Sequence, residues 1–290
     1  MFLKNLRWIL LFVLALIWGS SFILIKKGLI GLTPFQLGSL RIVFATVFLL
    51  LIGFKSLQTI PHTKWKFVAL TAMVGTFFPA YLFAMAETVI SSSIAAVLNS
   101  LTPLGALLIG VLAFGLQVEK RQIYGVIIGL IGSILLVLNG ESSNSEQNIT
   151  YTLMVVFAAF CYSLNVNLIK KYLSDVKPLA ITTGNFIILL IPALIVLYIT
   201  GFDKVVARPE VQTAMIYIAI LGVLGTGIAN IIYFKLIQMS SPVFASSVTY
   251  MIPVVAFFWG ILDQELFNLM QYMGAIIIFI GIYLSAKKQS

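Results

Sequence analysis

The chain is poor in the residues that soluble enzymes rely on. Only 9% of its 290 residues are charged, nine of them acidic, against about 25% in a typical soluble domain. It holds one histidine, His62, and one cysteine, Cys161. A single cysteine excludes an intrachain disulfide. A single histidine, with no H-E-x-x-H, no Cys/His cluster and no carboxylate pair at membrane depth, leaves no catalytic or metal-ligating constellation. The reading is therefore of a non-enzyme without cofactor or metal. The net charge of +9 does not signal nucleic acid, because the cations separate apolar runs and do not gather on one face.

What is abundant is apolar surface: 61% of the residues, with a mean hydropathy of +1.09. Crossing the hydrocarbon core takes about 20 apolar residues per helix. Ten runs qualify, at about 6–25, 35–53, 65–86, 92–114, 121–139, 150–170, 178–200, 212–236, 243–262 and 268–286. The fold class expected is an all-α integral membrane protein with ten transmembrane helices. The first run follows Lys4 and Arg7 as a signal peptide would, but no small-residue cleavage site ends it, so it reads as a retained span. The one low-complexity stretch, N-G-E-S-S-N-S-E-Q-N at 139–148, reads as a linker.

Basic residues orient such proteins. The N-terminal side carries 13 of them and the opposite side four (Lys26, Lys27, Lys204, Arg208), which with Arg41 inside a span makes the 18 present. Both termini are thus expected in the cytoplasm of a bacterial cell, with the chain multi-pass in the inner membrane.

The two halves repeat each other. At an offset of 144, L-I-K-K at Leu24–Lys27 recurs at Leu168–Lys171, and Pro34 as Pro178. At an offset of 150, Gly75-Thr76 recurs as Gly225-Thr226, and Pro103, Ala106 and Gly110 as Pro253, Ala256 and Gly260. At 149, Gln122, Gly125 and Gly132 recur as Gln271, Gly274 and Gly281. The division expected is a first five-span repeat at 1–139, an external linker at 140–149 and a second repeat at 150–290. Five spans per half would insert the second repeat upside down, and inverted repeats are an architecture of secondary transporters.

The residues also resemble a family. W-G-S-S-F at Trp18–Phe22 with Lys26-Lys27, Arg41 in S-L-R-I-V-F, Ser91–Pro103, Met239–Pro253, and D-Q-E-L at Asp263–Leu266 followed by Gln271 and Gly274 are similar to the EamA-type proteins of the drug/metabolite transporter superfamily. The first-half counterpart, Gly115–Gln122, lacks a glutamate at the matching place. The resemblance implies ten spans, 5+5 inverted repeats and export of amino acids or related metabolites.

Polar side chains inside spans must face the protein or water. Matched positions Trp18/Tyr162, Ser21/Asn165, Arg41/Asn185 and Asn99/Thr249, with Tyr81, Asn230, Tyr233 and Tyr250, are therefore the candidates to meet a substrate. For Asn185 and the others the plain alternative is a helix–helix hydrogen bond or packing. Pro79, Pro103, Pro192 and Pro253 are expected to kink their spans and free the carbonyl four residues earlier. Arg41 needs a partner: Glu87, helix carbonyls or an anionic substrate. The function expected is secondary transport of small polar metabolites by alternating access, in the export direction. An importer of the same solutes is the alternative, with a channel or membrane enzyme behind it. The expected partners are a small-molecule substrate and membrane lipid, with no nucleic acid, for a chain acting as a monomer.

Overall fold

The computed structural model describes residues 2–90, 92–138, 149–262 and 269–286. Among them there are helices and turns and no strand. Helix α1 (Phe2–Gly28) ends on Lys26-Lys27, cations placed at the carbonyl end that the helix dipole favours. Helix α2 (Pro34–Gly53) starts on a capping box. Thr33 Oγ1 accepts from the Gln36 N–H at 3.3 Å and Gln36 Oε1 accepts from the Thr33 N–H at 3.1 Å. Pro34 sits at the first turn, where its missing donor costs nothing. Two short 3₁₀ turns, Phe54–Thr59 and His62–Lys64, lead to α3 (Trp65–Ala72). That helix runs through a π-helical segment, Met73–Phe77, into α4 (Phe78–Ala86). Helices α5 (Ser92–Asn99) and α6 (Thr102–Phe114) are parted at Ser100-Leu101, and α6 ends on Gly115 at φ +65°, the left-handed cap that glycine adopts without strain. Helix α7 is Lys120–Leu138.

The same order of shapes follows once more. Helices α8 (Ile149–Tyr172) and α9 (Pro178–Ile199) are long rods. Helix α10 (Pro209–Ile220) passes through a second π segment, Leu221–Ile228, into α11 (Ala229–Met239). A short α12 (Pro242–Ser246), capped by Ser241, is parted from α13 (Val248–Leu262) at Ser247, and α14 is Leu269–Ser285.

Seven helical segments among the described residues are long and apolar enough to cross a membrane: Leu6–Gly28, Pro34–Thr59, His62–Ala86, Ile94–Phe114, Ile149–Tyr172, Pro178–Ile199 and Pro209–Met239. Pro242–Val255 and Tyr272–Ser285 are shorter apolar helices. Large apolar side chains such as Leu51, Leu112 and Tyr198 stand more than 80% exposed. An apolar surface of this extent suits lipid and not water. The protein is a multi-pass helical membrane protein. The linker at 139–148 and the D-Q-E-L motif at 263–266 lie outside the described residues.

Four of the expected spans depart from a continuous α-helix, at the two π segments, at Ser100-Leu101 and at Ser247. The proline kinks differ one from another. Pro79 follows the first π segment and Pro103 opens α6 after the break. Pro253 lies inside α13, downstream of the break at Ser247, and Pro192 lies inside an unbroken α9. The freed carbonyls find donors where the sequence offers hydroxyls. Asn99 O accepts from Thr102 Oγ1 at 2.7 Å, and Thr249 O accepts from Ser100 Oγ at 3.4 Å.

Helices of the two halves interlock. Helix α1 packs on α10, α11 and α13, while α8 packs on α4, α5 and α6. Helices α7 and α14 approach backbone to backbone: a Cβ on Gly281 would lie 2.4 Å from Gly129 N, and one on Gly125 2.4 Å from Ser285 N. One face is tied by Gln36 Nε2 donating to Thr200 O at 3.1 Å. The other carries Lys64 Nζ on Tyr172 O (2.7 Å) and Asp175 Oδ1 (3.1 Å), and Phe67 stacked on Tyr172 at 4.1 Å. Lys64 holds the Asp175 carboxyl below its usual range, mainly through that hydrogen bond.

Candidate functional site

Between the interlocked helices lies a cavity of about 90 Å³, well above the ~10–15 Å³ needed to hold a water. Its wall gathers side chains from both halves. Trp18, Ser21 and Phe22 come from α1, Tyr162 and Asn165 from α8, and Arg41 from α2. Asn99 and Thr249 come from the ends of the broken helices, and Asn230 and Tyr233 from α11. Nine of the twelve residues expected to meet a substrate are thus brought together.

Tyr81 and Tyr250 are not among them. Tyr81 is turned onto α2, its hydroxyl 2.8 Å from Ser39 Oγ and its ring over Gly38, where a Cβ would lie 2.7 Å from the ring. Tyr250 reaches the other way, donating to Val126 O at 2.8 Å with its ring against Gly129. In both cases a glycine on the neighbouring helix opens the space that takes the ring. Asn185, the repeat partner of Arg41, also lies elsewhere, its amide nitrogen donating to Val68 O at 2.9 Å beside Thr71 Oγ1. The four prolines are off the lining as well.

The π segments supply wall residues that were not among the candidates: Gly75, Thr76, Gly225 and Thr226. A signal was present, since Gly-Thr recurs at an offset of 150 inside two apolar runs. A π turn makes i→i+5 bonds and is frequent at functional sites. Here Thr226 Oγ1 donates to Leu221 O, five residues back, at 3.1 Å. The indole N–H of Trp18 donates to Gly225 O at 3.0 Å. Pro79 sits after the first π segment, but Ala229 holds the equivalent place after the second, so proline is not what makes the π turn.

The glycines have a further use. A Cβ on Gly75 would lie 2.4 Å from the Asn165 amide, and one on Gly225 2.8 Å from Ser21 Oγ. Ser21 and Asn165 are repeat partners, as are Gly75 and Gly225. The same close approach is made twice, each time between halves.

Arg41 is the one charged side chain on the lining. Its Nε donates to Thr226 Oγ1 at 2.6 Å, and Tyr162 and Glu87 are near enough to act on its charge. The guanidinium is tied through one nitrogen to the second-half π segment, a hydrogen-bond partner not among those considered from sequence. Two buried polar atoms on the wall, Thr76 Oγ1 and Asn165 Oδ1, have no hydrogen-bond partner. Aromatic faces, amides, hydroxyls and one arginine can together hold a small solute that has both polar and apolar parts.

A membrane-embedded helical bundle built around such a polar cavity has the architecture of a transporter. The sequence profile of the EamA-like transporter family matches residues 6–138 and again 149–287. The chain belongs to that family. An uncharacterized transporter of Archaeoglobus fulgidus is 25% identical over 288 residues, covering 98% of this chain and 99% of its own. The uncharacterized inner membrane transporter YedA of Escherichia coli K12 is 27% identical over 283 residues, covering 94% and 88%. A protein of Salmonella typhimurium named "Probable amino-acid metabolite efflux pump" is 24% identical over 287 residues, covering 94% and 92%. One crystal structure superposes with a TM-score of 0.72 over 95% of this chain and 94% of its own, at 15% identity, and so shares the fold.

Proposed function

We propose that the protein is a secondary transporter that exports a small polar metabolite, an amino acid or a related compound bearing an anionic group, across the bacterial inner membrane. It works as a monomer by alternating access of two inverted five-span repeats, 1–139 and 150–290, joined by an external linker at 140–149. Both termini are cytoplasmic, so the face bearing Lys64, Asp175 and Gln238 is the inner one.

The carrying observation is Arg41 on the cavity wall, fixed by Thr226 through Nε. A charge inside the hydrocarbon zone costs about 2.5 kcal/mol or more unless something offsets it. One hydroxyl engages Nε, which leaves the two terminal nitrogens to form the bidentate face that suits a carboxylate. The inverted-repeat reading is supported by the double match of the family profile, the matched π segments and the twofold glycine approach. Export rests on the name of the Salmonella relative.

The test compares Arg41→Lys and Arg41→Gln with wild type in proteoliposomes, using amino acids and their carboxyl-amidated analogues. Both variants are expected to fold and to lose transport of the free acids, with amides little affected. Equal losses for acids and amides would overturn the carboxylate role. For topology, a cysteine at exposed Lys204 should react with an impermeant maleimide on intact spheroplasts; reaction only after lysis would invert the assignment.

A further inference from the structure

The two ends of the cavity are not equally closed, and the difference falls on matched residues. Toward the outer face the wall continues along α1 to Phe22 and Ile25. Their repeat partners on α8 at the offset of 144, Val166 and Ile169, are fully buried in the large apolar cluster at the inner end. The cavity wall therefore reaches further toward the outer end than toward the inner one.

The inner end has a polar latch. Lys170 Nζ, near the end of α8, donates to Ile237 O at 3.2 Å and Gln238 O at 2.9 Å, the last carbonyls of α11. Gln238 Nε2 returns the contact, donating to Leu173 O at 2.9 Å and Val176 O at 2.7 Å. An ammonium on the open carbonyls of a helix C-terminus is favoured both by hydrogen bonding and by the helix dipole.

The repeat supplies the same parts at the outer end. Lys170 corresponds to Lys26 at the offset of 144, and Ile237 and Gln238 correspond to Glu87 and Thr88 at the offset of 150. Glu87 caps the C-terminus of α4, as Ile237 and Gln238 lie in the last turn of α11. Yet Lys26 is exposed, and among the described residues it makes no hydrogen bond or ion pair. Thr88 is exposed too, its hydroxyl donating within its own turn to Met85 O. The pieces of a latch are present but apart.

We propose that Lys26 is the outer latch: when the cavity opens inward, its ammonium seats on the carbonyls of Glu87 and Thr88 as Lys170 now seats on those of Ile237 and Gln238. The inference rests on the alternating-access reading above. It goes beyond that reading in naming the residue that holds the outer end shut. An ammonium on carbonyl oxygens makes a charge-assisted contact at either end.

The experiment reads a distance. In a Cys161→Ser background, spin labels at Lys27→Cys and Val89→Cys, both on exposed positions, report the outer gap by double electron–electron resonance. A second pair at Lys171→Cys and Ser240→Cys reports the inner one. With the inner latch intact, the outer pair should show one long distance. Lys170→Gln with Gln238→Ala should lengthen the inner distance and add a shorter outer one. Lys26→Gln on that background should cut the short outer population by roughly fivefold or more, as loss of a charge-assisted hydrogen bond requires, and Lys26→Arg should keep it. A short population that appears and is indifferent to Lys26→Gln overturns the latch and leaves alternating access standing. An inner gap that widens with no shortening outside overturns the coupled reading, and the latch falls with it.

Discussion

Adding one methyl group at Gly75 tests the interlocking of the halves. The new Cβ would lie 2.4, 2.6 and 2.7 Å from Nδ2, Cγ and Oδ1 of Asn165. All three are below any ordinary contact, so the whole amide must turn away. Asn165 is almost fully buried and only the cavity offers space. Overpacking of this kind costs about 1–3 kcal/mol, against a gain of about 0.5–1 kcal/mol for replacing a helical glycine by alanine. Gly75→Ala should therefore be net destabilising by roughly 1 kcal/mol or more and should obstruct the cavity. The matched change Gly225→Ala meets only Ser21 Oγ at 2.8 Å and Leu221 Cδ1 at 2.9 Å, both ends of rotatable side chains. There the cost and the gain nearly cancel. The decisive assay is a double-mutant cycle of Gly75→Ala with Asn165→Ser, which installs in one half the residue type that faces the glycine in the other. Melting temperature in detergent and solute flux in proteoliposomes are both read. A coupling of about 0.5–3 kcal/mol, with flux partly restored in the double variant, is expected of residues in contact. Strict additivity, or a Gly225→Ala variant worse than Gly75→Ala, would refute the reasoning.

Three other outcomes follow from single contacts. Thr226→Val keeps shape but removes the acceptor of Arg41 Nε and the donor to Leu221 O; a loss of about 1.5–3 kcal/mol is expected for the bond to the charged group, while Thr226→Ser should retain most of it in thermal melts. Tyr250→Phe removes the hydroxyl that donates to Val126 O at 2.8 Å and should cost about 1 kcal/mol with flux unchanged, because that ring lies off the cavity. For Asp175, the depressed carboxyl stabilises the fold fully above the unfolded value of about 3.9, and that stabilisation vanishes as the pH falls through the lower folded value. Melting temperature against pH should show a small acid-limb drop that salt reduces and Asp175→Asn abolishes; with 63% of the side chain exposed the effect is small.

Much of the fold was legible in sequence because its causes are local. Apolar run length declares a span wherever the solvent is lipid, and seven runs stand as candidate spans in the structure. The other three expected runs, near 121–139, 243–262 and 268–286, are occupied by α7, α12–α13 and α14. Polarity inside a span declares a side chain that must find protein or water, which is why Trp18, Arg41, Asn99, Asn165 and Asn230 could be picked out before any geometry. Internal repetition was legible for a similar reason, since each half must solve the same packing problem.

What only the tertiary structure decided is direction and partnership. A polar residue's presence in a span does not say which neighbour it faces. Gly38 draws Tyr81 onto α2 and Gly129 draws Tyr250 toward α7, both away from the cavity. The π segments were invisible because i→i+5 bonding leaves no composition of its own; Pro79 follows one segment and alanine the other. The partner of Arg41, a threonine 185 residues away, follows from how the halves interlock. The unequal ends of the cavity follow from no sequence at all: Lys26 and Lys170 are equivalent residues on equivalent helices, and only the conformation adopted sets one on a helix terminus and leaves the other in the open.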